Sequence, residues 1–471
     1  MFVLKNLSPI KNGKLKRRIL IILFVMALFS DSASLLFASQ AIQPADVKTI
    51  AGSLTLEKCI ELTLANNPDI AARKWEVSQA EAQKDGSLGA RWPSLRAIGS
   101  YNYFLNAQRL IPARENGEPG VFSQTSTGAA LVLSMPLFTG GQITNRIKAS
   151  ELLQAASENR LARTREELIF NVTSVFNAVL GQQQVIGSLL FSIEALHQQV
   201  GRIQDLISVQ KGTRVDLLRT EVRLANLEQR LLQEKNTLLI QQRVLANLMG
   251  LKESEGPMTI EGQLNFIPMK VDPEGLFSGV YKTREDYLAA KAELDAQGRR
   301  VEVARGVHWP SVSLRGSYGI QYAPAAIPTR IRSDASGMEN PQDVGAVGLF
   351  VDIPVFEGGQ INARIRDELA RLEAQRERLR KLELQIRLEV EIAAANVNSL
   401  RQRITTTEKS IEQAKESLEI EREKYGVGKS TITDVLDVQG ALLEAQSTYY
   451  RALADYEAAK AQLRLATGEK L

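Results

Sequence analysis

One cysteine, two histidines and 27 aromatic residues (Phe 14, Tyr 10, Trp 3) are all that this 471-residue chain carries of those types. The lone Cys59 forms no internal disulfide and no CxxC metal pair. It sits in LEKCIEL, an amphipathic helical stretch, which reads as a small half-buried helix position. His197 and His308 stand 111 residues apart without ligand spacing, which argues against zinc. The seven methionines do not cluster after residue 26, so no soft-metal path is indicated. Neither metal nor cofactor is expected. Long apolar runs are also scarce. Ile19–Phe29 (ILIILFVMALF) spans 11 residues, well short of the roughly 20 that a membrane helix needs. Nothing later in the chain approaches 18 apolar residues. The other structure that crosses a bilayer is a closed β-barrel. Its strands show only about ten alternating residues each, which hydropathy does not detect.

Charge of one sign is lacking too, once the chain's beginning is set aside. The formal charge is +4, from 58 Lys and Arg against 54 Asp and Glu. Lys5, Lys11, Lys14, Lys16, Arg17 and Arg18 all precede Ile19–Phe29, with no acid among them. A basic stretch, a short apolar run and small residues after it match a secretory signal peptide, residues 1–38. The candidate cuts lie between 38 and 41, after Ala38 or Ala41. Removing those six bases and Asp31 leaves 52 basic and 53 acidic side chains, a net charge of −1. The basic balance belongs to the leader and implies no nucleic-acid partner. The basic stretch Arg371–Arg387 interleaves with Glu373, Glu377 and Glu383 and reads as a solvated helix face. Gly428-Lys429-Ser430 resembles the end of a phosphate loop, but that motif requires Gly where Glu423 stands. With no nucleophile elbow, metal cluster or catalytic carboxylate pair, the chain does not read as an enzyme.

What is present is duplication. Trp92-Pro93-Ser94-Leu95 recurs as Trp309-Pro310-Ser311-Val312, an offset of 217. Pro136-Leu137-Phe138-Thr139-Gly140-Gly141-Gln142-Ile143 recurs as Pro354-Val355-Phe356-Glu357-Gly358-Gly359-Gln360-Ile361, an offset of 218. Asp216-Leu217-Leu218 matches Asp434-Val435-Leu436, and Gly250 matches Gly468, again at 218. The chain is therefore two copies of one large unit. The first repeat is placed at 54–250, an inter-repeat linker at 251–282 and the second repeat at 283–468.

Each copy opens with an amphipathic helix ending near its Trp-Pro. An alternating strand follows: Leu95, Ala97, Gly99, Tyr101, Tyr103, or Val312, Leu314, Gly316, Tyr318, Ile320. Polar loops are expected at about 105–126 and 323–343. A second alternating run then stops at Pro136 or Pro354, since proline is confined to strand ends and edges. Beyond the Gly-Gly pair lies a very long helical stretch. In copy two Ile386, Val390, Ala393, Val397, Leu400, Ile404, Thr407, Ile411, Ala414 and Leu418 step by four and three, a heptad seam. Short breaks at Gln210–Arg214 and Gly426–Thr431 mark hairpin tips, and returning helices run to Gly250 and Gly468. The fold class is α+β, mainly α, with long coiled-coil helical hairpins and four membrane β-strands per protomer. Four strands leave two open edges, so closure requires oligomerisation. Three protomers would give twelve strands, enough for a barrel with an open lumen; the strands alone also fit the edge of a soluble β-sandwich.

Over residues 54–468 the sequence resembles the TolC-like outer-membrane efflux proteins. The resemblance is carried by the Trp-Pro pairs, by the turns with Pro136, Gly140, Gly141, Pro354, Gly358 and Gly359, and by Tyr425-Gly426-Val427-Gly428 followed by Thr431-Ile432-Thr433-Asp434-Val435-Leu436-Asp437. It implies a homotrimer whose barrel, set in outer-membrane lipid, continues into a periplasmic tunnel of helical hairpins. It also implies passive efflux or type I secretion, in partnership with a periplasmic adaptor and an inner-membrane pump. Asp434 and Asp437 match the constriction that closes the periplasmic end of the tunnel. Repulsion in such a carboxylate ring raises pKa values and favours cations. Asp434 is also a candidate cap of the returning helix. Asp216 and Tyr425 match positions linking neighbouring hairpins. Gly212, Gly426, Gly428 and Thr431 mark the adaptor-facing tips. Two departures stand out. Ser430 replaces an expected Arg, so the salt bridge to an aspartate is either missing or supplied by Lys429 or Arg214, and Gln210 replaces an expected tip glycine. The alternative function is a soluble, secreted coiled-coil scaffold without channel activity.

Overall fold

The computed structural model describes residues 53–111, 121–251, 258–322 and 342–469, all within one unit, Thr49–Leu471. The expected leader lies outside the described residues. Among the described residues, eight helices and four strands occur in the order α1 (Leu56–Asn66), α2 (Pro68–Gly89), β1 (Ser94–Ile111), β2 (Val121–Phe138), α3 (Gln142–Ser208), α4 (Arg214–Leu248), α5 (Pro273–Thr283), α6 (Glu285–Gly306), β3 (Ser311–Tyr322), β4 (Gln342–Asp352), α7 (Gln360–Gly426) and α8 (Ile432–Thr467). Copy two thus repeats copy one, with α5 to α8 answering α1 to α4.

Local chemistry sets the helix starts. Thr55, Thr213 and Thr431 each accept a backbone N–H at an N-cap. Asn67 does so before Pro68, and Asp272 before Pro273, with proline filling the first helical position. α3 and α7 instead begin after paired left-handed glycines: Gly140 (φ 58°) and Gly141 (φ 80°), and Gly358 (φ 60°) and Gly359 (φ 83°). Both long helices have 67 residues, about 100 Å at 1.5 Å per residue. They contain no proline to kink them.

The heptad seam of α7 is the buried face. Ile386, Val390, Ala393, Val397 and Ile404 pack with Ala452, Leu453, Tyr456 and Leu463 of α8. In copy one Val172, Phe176, Val179 and Leu180 of α3 pack with Cys59 of α1, Leu245 of α4 and Met249 just beyond it. Burial pushes the Cys59 thiol up to about 11, with Glu57 adding to the shift. That makes it an unreactive core residue.

The stretch read as a linker does more than connect the repeats. It contains α5 and packs on the core through Val271 and Val280. The Tyr456 hydroxyl accepts from Met269 N–H and donates to Ile267 C=O, both at 2.9 Å. Asn398 holds the Val271 backbone from both sides. Ile260 makes a parallel bridge to Leu54.

The strands form one antiparallel sheet in the order β1-β2-β3-β4. The expected loop at 105–126 is much shorter, because β1 and β2 run for 18 residues each. Register shifts between Tyr103 and Gln108 and between Arg109 and Ile111 break the alternation there, which hid the extension. The loop expected at 323–343 falls largely outside the described residues. β2 also continues through Pro136 to Phe138, two residues past the expected stop. Its β1 neighbour begins at Ser94, opposite Ser134, so Pro136 has a strand on one side only, paired at Ser313. An edge position of this kind tolerates proline.

Register sorts the side chains. Leu95, Ala97, Gly99 and Tyr101 lie in rows with Leu133, Leu131, Ala129 and Thr127 of β2 and with Gly316, Tyr318, Ile320 and Tyr322 of β3. Val347 and Gly345 of β4 extend the first two rows. This face is apolar. The opposite face is mixed: Arg96, Ser100 and Asn102 of β1, Ser126 and Ser134 of β2, and Ser313, Arg315, Ser317 and Gln321 of β3 stand among Ile98, Ala130, Val132, Val344 and Phe350. Among the described residues, no helix is long and apolar enough to cross a membrane.

Candidate functional site

Two hairpin tips lie together at the end of the helices remote from the sheet. Ile432 and Leu436 of α8 are buried against Val185, Leu189 and Leu196 of α3, with Leu217 of α4 and Tyr425 of α7 alongside. Arg219 Nη1 of α4 donates to Thr433 Oγ1 at 2.9 Å, tying the tip of copy one to that of copy two.

In the first tip, Lys211 and Gly212 N–H both donate to Leu206 C=O, at 2.8 and 3.0 Å. This closure needs a left-handed residue. Gln210 supplies it at φ 57°, the only described non-glycine residue with positive φ. A left-handed L-residue costs roughly 1–2 kcal/mol. The second tip makes the same turn with Gly428, φ 73°, and Lys429 N–H donates to Lys424 C=O at 2.8 Å.

Asp434 is not the N-cap of α8. Thr431 is, and Asp434 is the third helical residue of a capping box. Its Oδ2 accepts from Thr431 N–H at 2.9 Å and from Thr431 Oγ1 at 2.6 Å. Ser430 Oγ bridges Asp434 Oδ2 at 3.2 Å and Glu421 Oε2 at 2.6 Å. The Thr431 hydroxyl and N–H hold the Asp434 carboxyl below its usual range, with Ser430 and Lys424 helping. Repulsion in a carboxylate ring acts against these bonds. Glu421 is lowered as well, first by Lys424, 2.8 Å away, and then by Ser430. The cation near this cluster is therefore Lys424. Lys429 and Arg214 are exposed and make no ion pair among the described residues. Burial raises the Tyr425 hydroxyl pKa, and the Asp216 carboxylate raises it further, so these two are neighbours. Asp437 stands exposed one turn beyond Asp434. Among the described residues no cluster of three His, Cys, Asp or Glu is placed to hold a metal.

Spacing alone does not reveal Glu421, because its bond to Ser430 crosses the tip. It also does not reveal Arg284, at the α5–α6 junction. Arg284 is 1 % exposed and bonds Asp286, Glu389 and the Ala466 carbonyl. The offset points to it only once Asn67 is known to make the matching bond, to Leu248 C=O at 2.9 Å.

A duplicated α-hairpin with a four-stranded sheet at one end and an acidic tip at the other narrows the possibilities. The profile of the family described as outer membrane efflux protein matches residues 59–251 and 278–469, most of the chain. The chain belongs to this family. It is 22% identical over 404 residues to the outer membrane protein TolC of Escherichia coli K12, covering 83% of this chain and 79% of TolC. It is 21% identical over 370 residues to the outer membrane efflux protein BepC of Brucella suis, covering 79% of this chain and 76% of BepC. Its fold matches the CmeC outer membrane channel of Campylobacter jejuni with a TM-score of 0.73 at 18% identity, covering 88% of this chain and 85% of CmeC. The chain is an efflux channel of the outer membrane, and a soluble scaffold is not supported.

Proposed function

We propose that three copies of this chain form a passive conduit, with twelve strands closing a barrel in the outer membrane and the helices forming a periplasmic tunnel. The two-faced sheet is the observation that carries this reading. One face is apolar from Leu95 to Tyr101 and across its neighbours, and the other holds most of the sheet's polar side chains, Arg96 and Arg315 among them. Lipid outside and water inside require that alternation. β1 and β4 each keep an unpaired edge in the single chain, which hydrocarbon does not tolerate.

Asp434 and Asp437 form the periplasmic gate in this reading, as three pairs of carboxylates around one axis. Asp216, Tyr425 and Arg219 link adjacent hairpins. The tips, with Gly212, Gly426, Gly428 and Thr431, meet a periplasmic adaptor that couples the conduit to an inner-membrane pump, in tripartite efflux or type I secretion. Exposed Val209, Val215, Leu218, Val222 and Val427 support a protein contact there. The test is bilayer recording of Asp434→Ala with Asp437→Ala. Conductance is expected to rise and cation preference to weaken; if neither changes, the gate assignment fails.

A further inference from the structure

The internal repeat gives a residue-level description of how one chain meets the next. Within the chain, α3 of copy one is clasped by α6 of copy two. Arg160 pairs with Glu293. Arg163 lies 3.9 Å from Asp286 and donates to Leu465 C=O at 2.9 Å. Gln142 Nε2 donates to Gly306 C=O at 3.3 Å. Gly140 and Gly306 touch so closely that a Cβ on Gly140 would lie 2.6 Å from the Trp309 Cβ, and one on Gly306 2.7 Å from the Gly140 carbonyl oxygen.

The repeat offsets carry the charged side chains, the glutamine, the glycines and the tryptophan of this joint to residues of matching chemistry. At 218, Arg160, Arg163, Gln142 and Gly140 become Arg378, Lys381, Gln360 and Gly358. At 217, Glu293, Asp286, Gly306 and Trp309 become Glu76, Asp69, Gly89 and Trp92. Both sets lie at the open ends of the chain, α7 and α2. Arg378 and Lys381 are exposed and make no ion pair among the described residues; Arg378 donates only to Gln375 in its own helix. Asp69 likewise has no ion pair among them, and Glu76 has only Arg73 of its own helix. A Cβ on Gly358 or Gly89 meets nothing within 4 Å. Ala156 is 0 % exposed, whereas its counterpart Ala374 is exposed.

We infer that α7 of one chain seats α2 of a second copy through Arg378–Glu76 and Lys381–Asp69, with Gly358 closing on Gly89, so that the joint between chains reproduces the joint inside each chain. This rests on the oligomeric reading above. The occupant is a second copy because charge sign, spacing and the placement of the glycines all match the seated pair within the chain. The interface is heterologous, joining one end of each chain to the other end of the next, and such interfaces generate rings when the rotation closes.

Full-length protein in detergent tests this. Arg378→Glu with Lys381→Glu, or Glu76→Arg with Asp69→Lys, should lower the temperature at which the oligomer dissociates on a denaturing gel by roughly 10 °C. All four substitutions together should recover most of that loss. Because charge reversal could also impair folding, Arg378→Cys and Glu76→Cys on separately tagged, co-expressed chains provide a second readout. A short bismaleimide should join the two tags. Wild-type oligomer with neither charge rescue nor cross-link overturns the joint and leaves the oligomeric reading standing. A wild-type chain that sediments as a monomer overturns both.

Discussion

Arg284 offers a test of what holds the two copies to a common plan. Its guanidinium donates to Asp286 at 2.8 and 2.9 Å, to Glu389 at 2.5 Å and to the Ala466 carbonyl at 3.2 Å. It thereby ties the start of α6 to the middle of α7 and the end of α8. Burial works against its charge, yet Asp286 and then Glu389 outweigh that and keep its pKa above the ordinary value. Breaking a buried pair from one side costs about 3–5 kcal/mol. Here the carboxylates are 24 % and 36 % exposed, so water screens them and Arg284→Met should cost about 3 kcal/mol. Copy one solves the same junction without the arginine: Asn67 replaces Arg284, Asn171 stands at the Glu389 position, and of the three charges only that of Asp286 is kept, as Asp69. Arg284→Asn should therefore recover about 1 kcal/mol through the carbonyl bond. Adding Glu389→Asn should bring the junction within about 1 kcal/mol of wild type, because the one carboxylate left there, Asp286, keeps Arg163 3.9 Å away. Hydrogen exchange of the last turns of α8 reads this directly, since 3 kcal/mol is more than about a hundredfold in opening. Wild-type exchange in Arg284→Met would refute the ledger, as would Arg284→Asn/Glu389→Asn exchanging as fast as Arg284→Asn alone.

Two further predictions concern the seam between chains. The β2–β3 register sets Leu131 opposite Tyr318; carried by the repeat offsets, it sets Leu349 opposite Tyr101 of the next chain. Leu349→Cys with Tyr101→Cys should form an interchain disulfide. Leu349→Cys with Ser100→Cys should not, because one step along a strand turns the side chain to the other face; the reverse pattern on a non-reducing gel refutes the register. Gly140→Ala should destabilise the chain itself by about 2–4 kcal/mol, from backbone strain and overlap with Trp309. Gly358→Ala should chiefly lower the dissociation temperature of the oligomer, and equal effects of the two on helix melting would contradict this.

Much of the architecture was legible because it rests on periodic features. The α7 seam from Ile386 to Leu418 repeats by heptads, and its members are buried or half-buried. The strands alternate, and their landmarks recur at a fixed offset. What periodicity does not encode was missed. The ends of β1 and β2 lie beyond register shifts. Pro136 survives in a strand because its neighbour stops at Ser94, a fact of pairing rather than of local sequence. The Asp434 carboxylate faces Thr431 and Ser430 rather than a cation, and the cation close by is Lys424. That choice depends on how the second tip folds over Glu421.

The two copies diverge most where the tips are, and the divergence has a direction. By the 218 offset, Glu421 answers Ile203, Ser430 answers Gly212 and Asp437 answers Arg219. Ile203 is fully buried, whereas Glu421 reaches across its tip to Ser430. The first tip is thus closed by packing and backbone bonds at the cost of one left-handed Gln210. The second closes with a glycine and spends its side chains on a carboxylate network. Arg219 and Asp437 occupy the same place in their hairpins with opposite charge, and Arg219 already reaches the start of α8 at Thr433. In a ring where the copies alternate, the tips alternate in sign at that level. Under the proposed gate, attraction between neighbouring hairpins opposes the repulsion among the Asp437 carboxylates, and the balance of the two would set how firmly the periplasmic end stays closed.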